Sequence, residues 1–114
     1  MTIMYNSTYD LTIPFSDDSV QFALASNTAL TYTLPGDKTM AYSVRFSYAA
    51  NSNVFVTKNS TAVVPAAGTM ASVQYSEFKP GFDGSQRYAL GGETISFITP
   101  DATAFCGISI RKLP

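Results

Sequence analysis

The sequence predicts an all-β fold, an antiparallel β-sandwich or jelly roll of about eight strands. Alternating or continuous apolar stretches recur between clusters of Gly, Pro, Asn and Asp, and none sustains a helical period. The connections are too short to carry crossover helices, which argues against a βαβ architecture. A chain of 114 residues fits a single domain that buries roughly two-thirds of the surface its unfolded form exposes.

Taken in order, residues 1–15 mix Asn, Ser and Asp with Tyr5, Tyr9, Leu11, Ile13 and Phe15 and read as an edge strand or an arm that packs on a neighbour. The remainder, 16–114, reads as the sandwich domain. Asp17-Asp18 looks like a turn ahead of a strand from Ser19 to Leu24, which places Val20, Phe22 and Leu24 on its inner face. Ala29 to Leu34 turns Leu30, Tyr32 and Leu34 inward and ends at Pro35-Gly36-Asp37, with Pro-Gly suited to the centre of a type II turn. Met40 to Tyr48 alternates without a break and is the strongest strand of the chain.

Val54 to Thr57 and Thr61 to Val64, joined by Lys58-Asn59-Ser60, read as a hairpin closed by Pro65. Ala66 to Met70 is a small-residue loop, Ser72 to Phe78 a further strand, and Lys79 to Gly84 a loop dense in breakers. The tail holds Gln86 to Leu90, a Gly91-Gly92 hairpin turn, Glu93 to Ile98, a Pro100-Asp101 turn and Ala102 to Ile110, the last two strands reading as an antiparallel pair.

Composition narrows the chemistry. The chain is 46% apolar, which favours folding over disorder, but only 13% charged, well below the roughly 25% of an average domain. A net charge of -1 with scattered Lys and Arg gives no electrostatic footprint for nucleic acid or an anionic membrane, and neither is expected as a partner. No histidine is present, removing the commonest general base and the Ser-His-Asp and Cys-His arrangements. The acids mostly sit beside turn residues, and Glu77, within a strand, reads as a surface residue near Lys79.

Asp17-Asp18 and Asp83-Gly84-Ser85 lack the repeated oxygen donors of a calcium loop, and Gly91-Gly92 lacks the spacing of a phosphate cradle. Cys106, between Phe105 and Ile108, reads as a packing residue. The expectation is therefore no catalytic residue, no cofactor and no metal. No export signal or membrane span is legible, so synthesis and folding in a cytoplasm are expected, and the sequons at Asn6 and Asn59 read as chance. Seven Tyr and eight Phe exceed what chemistry explains. Most fall on the apolar side of the alternation; Tyr5, Tyr9, Phe82 and Tyr88 lie in or beside loops and are the interface candidates.

Leu34-Pro35-Gly36-Asp37, Arg45-Phe46, Asn53-Val54-Phe55-Val56 with Ala62-Val63-Val64-Pro65, and Gly91 through Ile98 (GGETISFI) give the stretch from Thr28 to Ile110 a pattern. It resembles the small β-sandwich virion proteins of tailed bacteriophages. The resemblance implies a capsid decoration or cement protein that binds the outside of a phage head and stabilises it, with the major capsid protein and its own copies, as a homotrimer, for partners. The alternative is a tail-associated carbohydrate- or receptor-binding module using exposed aromatic rings, against which the lack of Trp argues modestly.

Overall fold

In the computed structural model, residues 15–65 and 76–114 are described. They form eight strands: β1 (Asp18–Ala25), β2 (Leu30–Thr33), β3 (Ala41–Tyr48), β4 (Phe55–Lys58), β5 (Glu77–Phe78), β6 (Arg87–Leu90), β7 (Thr94–Ile98) and β8 (Thr103–Lys112). The expected N-terminal strand or arm lies outside the described residues except for Phe15, as do residues 72–75 of the strand expected to end at Phe78.

Two antiparallel four-stranded sheets stack on one another, in the orders β1-β8-β3-β6 and β2-β7-β4-β5. Each strand of the first half pairs with its mirror in the second: β1 with β8, β2 with β7, β3 with β6 and β4 with β5. The chain is thus one long antiparallel ribbon rolled up on itself, which is the jelly roll of the two expected arrangements. Apart from β4 to β5, every consecutive pair of strands changes sheet.

The structure corrects four expectations. The strands flanking Pro100-Asp101 are not partners, because β7 pairs with β2 and β4 while β8 pairs with β1 and β3. Gly91-Gly92 does form a tight turn, with the Glu93 N–H donating to the Leu90 carbonyl at 3.2 Å, but it joins two sheets rather than a hairpin. Thr61 to Val64 is not a strand, since both edges of β4 are already occupied, by β7 and β5. Ala62 instead lies buried beside β7, its N–H donating to the Ser96 hydroxyl at 2.9 Å. Asp17-Asp18 is no turn either: Asp18 opens β1, and the Asp17 carboxylate accepts the Lys112 N–H at 2.6 Å.

The core lies between the sheets. Leu24, Val44, Ile108 and Ile110 face Val54, Val56, Ile95 and Phe97. Phe97 receives Phe22 and Phe46 edge-on at 4.8 and 5.9 Å between ring centroids, the geometry that aromatic quadrupoles favour. At one end two turns dock back to back. Gly36 takes φ +81, as the second central residue of a type II turn requires. Gly91 sits so close to it that a Cβ would lie 2.4 Å from the Asp37 carbonyl oxygen and 2.6 Å from that of Pro35.

The sheets differ on their outer faces. Ser96 and Ile98 of β7 are buried although they alternate with the inward Ile95 and Phe97, so β7 is covered on both sides and reads as a continuous apolar run. Among the described residues, the outer face of the β1-β8-β3-β6 sheet is bare: Gln21, Arg45, Ser47, Phe105 and Tyr88 are all exposed there.

Candidate interaction surface

Three features gather on and around the bare face. The first is the face itself. Facing Ala104, Cys106, Ile108 and Ile110 inward turns Phe105, Gly107 and Ser109 of β8 outward. Gly107 pairs with Gln21 on one side and Ser47 on the other. Gln21 lies across it, so closely that a Cβ at Gly107 would meet the amide at 2.4 Å. The Ser19 and Ser109 hydroxyls share a hydrogen bond at 3.0 Å, and Ser43 donates to Gln86, whose amide oxygen also takes Arg111 Nη2 at 3.4 Å. The result is a flat field of small polar groups with Tyr88 and Phe105 standing out of it, 62% and 60% exposed.

The second is the loop between β5 and β6. Phe82, 69% exposed, packs at 6.4 Å on Tyr48, whose hydroxyl donates to the Pro80 carbonyl at 2.5 Å. Lys79 projects into the rings, its Nζ 4.3 Å from the centroid of Phe82 and 5.8 Å from those of Tyr48 and Phe78. Each distance is within reach of a cation–π attraction. Lys79 thus meets aromatic rings rather than Glu77. Burial pushes the Tyr48 phenol above its usual range, so this loop is held by a neutral, hydrogen-bonded tyrosine.

The third is a cleft of about 270 Å³ between β6 and β4–β5. Val44, Phe46, Val56, Ala89 and Ile95 line it, and Arg87, Glu77 and Tyr88 stand among its walls. Arg87 is directly opposite the buried Val44 and therefore points inward, where its guanidinium donates two hydrogen bonds to Glu77, at 2.9 and 2.6 Å. This ion pair bridges the two sheets. It holds the Glu77 carboxyl below its ordinary value and the guanidinium above its own.

Compared with known proteins, the chain matches no family model, no curated protein and no solved structure.

Of the expected interface residues, Phe82 and Tyr88 border one region: Phe82 packs on Tyr48, Tyr48 bonds to Pro80, and Pro80 and Tyr88 both line the cleft. Tyr5 and Tyr9 lie outside the described residues. Sequence reasoning passed over Phe105 and Phe78. Strict alternation carried the signal for Phe105, since its neighbours Ala104 and Cys106 both face inward. Nothing local marks the Arg87–Glu77 pair, which depends on two strands of different sheets meeting. Among the described residues no group of three metal-ligating side chains comes together. Burial pushes the Cys106 thiol up to about 12, leaving it an apolar packing group at neutral pH.

Proposed function

We propose that this protein is a non-enzymatic structural virion protein, a decoration or cement protein that seats on the outside of a phage head, contacts the major capsid protein and its own copies as a trimer, and stabilises the shell. The observation that carries the reading is the pairing of a jelly roll with a bare sheet face on which Tyr88 and Phe105 project from small hydroxyl and amide groups. Exposed rings among adaptable polar groups supply contact area at low entropic cost, the composition of surfaces that bind other proteins. Jelly rolls host capsid proteins and lectins alike, so the fold lends the reading only the weight of analogy.

The test begins with the solution mass by light scattering and co-sedimentation of the protein with heads that lack it. The expected result is a trimer that sediments with heads, and a Tyr88→Ala, Phe105→Ala variant that stays folded and is left in the supernatant. A monomer that ignores heads moves the reading to the second candidate, a tail-associated glycan- or receptor-binding module. The cleft favours that candidate, because the fixed Arg87–Glu77 pair stands among its apolar walls, as ligand sites set a few placed polar groups among apolar ones. A glycan array without hits removes it.

A further inference from the structure

Among the described residues, the first strand carries a surface that the fold leaves unfinished. β1 is an edge strand, paired on one side with β8 through all eight residues with no bulge. Its sequence, DSVQFALA, holds neither Lys nor Pro and has its only charge at the first residue. The other edges are short: four residues in β2 and β6, two in β5. Natural proteins blunt long edges with charge, proline or a bulge, and an edge with none of these is a template for another strand. Beside β1 the space between the sheets is open as well. Val20 and Leu30 pair with the buried Ile108 and Phe97 and so point inward, yet they are 40% and 44% exposed. A strand laid along β1 pairs its free backbone groups and covers these side chains.

The chain itself contains a segment of that kind. In residues 1–14, which lie outside the described residues, Ile3, Tyr5, Tyr9, Leu11 and Ile13 take odd positions, while Thr2, Asn6, Thr8, Asp10 and Thr12 take even ones. Ser7 and Met4 interrupt the pattern. Extended, such a segment reaches about 45 Å. Its point of departure is fixed. The Asp17 N–H donates to the Ile110 carbonyl at 2.8 Å, and Lys112 N–H to the Asp17 carboxylate, keeping the backbone in line with β1.

Reversing onto the same β1 edge through a two-residue turn calls for positive φ. Phe15, Ser16 and Asp17 include no Gly or Asn, and neither Ser16 nor Asp17 has a positive φ. Phe15, the first of the described residues before β1, is 98% exposed.

We propose that residues 3–13 of one copy add as a β-strand to the free edge of β1 in a neighbouring copy, their apolar face closing the gap over Val20 and Leu30. This is strand addition, in which backbone bonds supply affinity and alternate side chains supply register. It rests on the self-association part of the function proposed above but not on the capsid as a partner.

The test uses the full chain. Light scattering is expected to give an oligomer for the natural sequence and the 12.3 kDa of one chain for Val20→Lys, which places a charge at the edge. A Leu11→Asp, Ile13→Asp variant, altered outside the strands described, is expected to be monomeric too, with the circular dichroism of the natural protein. In a mixture of chains carrying Leu11→Cys and Val20→Cys, a short bismaleimide is expected to join unlike chains, since the native Cys106 is buried. A natural chain that is monomeric at every concentration overturns the proposal. So does an oligomer that survives the Leu11→Asp, Ile13→Asp change, the result expected of direct β1-to-β1 pairing, and so does a mixture that yields no cross-linked pair. Co-sedimentation with heads is scored separately, so monomeric variants that still bind heads leave the capsid reading intact.

Discussion

The Ser96 hydroxyl is fully buried on the outer side of β7 and accepts the Ala62 N–H. Ser96→Ala strands that donor, and the expected loss is about 1–3 kcal/mol, read as a lowered midpoint in thermal unfolding; an unchanged midpoint means that the segment does not hold β7 through this bond. Ionisable residues set the pH range of stability. Glu93 is held below its ordinary value by the Leu90 N–H and the Asn59 amide, Asp101 by the Asn53 amide and N–H, Glu77 by Arg87, and Asp37 and Asp83 by hydrogen bonds from Thr39 and Ser85. A depressed folded pKa adds stability above the unfolded value, which is lost as pH falls through the folded one. Stability is therefore expected to decline below about pH 4.5. Tyr48 and Cys106 act at the other end. Both are raised by burial, so their contribution is whole below their unfolded values and lost as pH rises, for Cys106 between 9.0 and about 12. A plot of unfolding midpoint against pH checks both limbs; an alkaline limb as flat as the neutral plateau counts against the burial of these two groups.

At the scale of elements, the docked turns between β2 and β3 and between β6 and β7 are the most constrained point. The Gly92 N–H donates to the Leu34 carbonyl at 2.9 Å and the Gly91 N–H to that of Met40 at 2.8 Å, tying each turn to the other. A Cβ at Gly36 would meet mainly the flexible Met40 side chain, whereas at Gly91 it would meet backbone atoms of Pro35 and Asp37. Gly36→Ala is thus expected to cost about 1 kcal/mol, from its positive φ. Gly91→Ala should cost more, about 3 kcal/mol, because the turns must part. Denaturant unfolding of the two variants side by side reads the difference, and equal losses would mean that the turns do not bear on each other. Pro35-Gly36 was legible because one residue type fits each position of the turn. The closeness of Gly91 to it was not, since the two are distant in sequence and no local rule connects them.

For the whole molecule, the jelly roll makes pairing long-range by construction: β1 cannot join its sheet until β8, at the other end of the chain, is in place. Closure of such loops is paid in entropy before the contacts form. Refolding is expected in the millisecond-to-second range of β-sandwiches rather than in microseconds, as a stopped-flow measurement of tyrosine fluorescence would show. Removing β8 should abolish folding, because it is flanked by β1 and β3 and supplies Ala104, Cys106, Ile108 and Ile110 to the core.

Alternation of apolar and polar residues by itself determined that the chain is all-β, where most strands run, and which side of β3 is core, because a period of two is a property of the strand and needs no partner. The clustering of turn residues marked Tyr88 and Phe82 as lying in or beside loops, and both are exposed. Tertiary structure decided which sheet each strand joined, since strands of both sheets carry the same pattern and a tight turn can close a hairpin or cross between layers. That choice turned Thr61 to Val64 into a cover for β7, brought Arg87 to Glu77, and left β1 with an open edge among the described residues. Each depends on what already occupies the neighbouring edge, a matter of space rather than of local sequence.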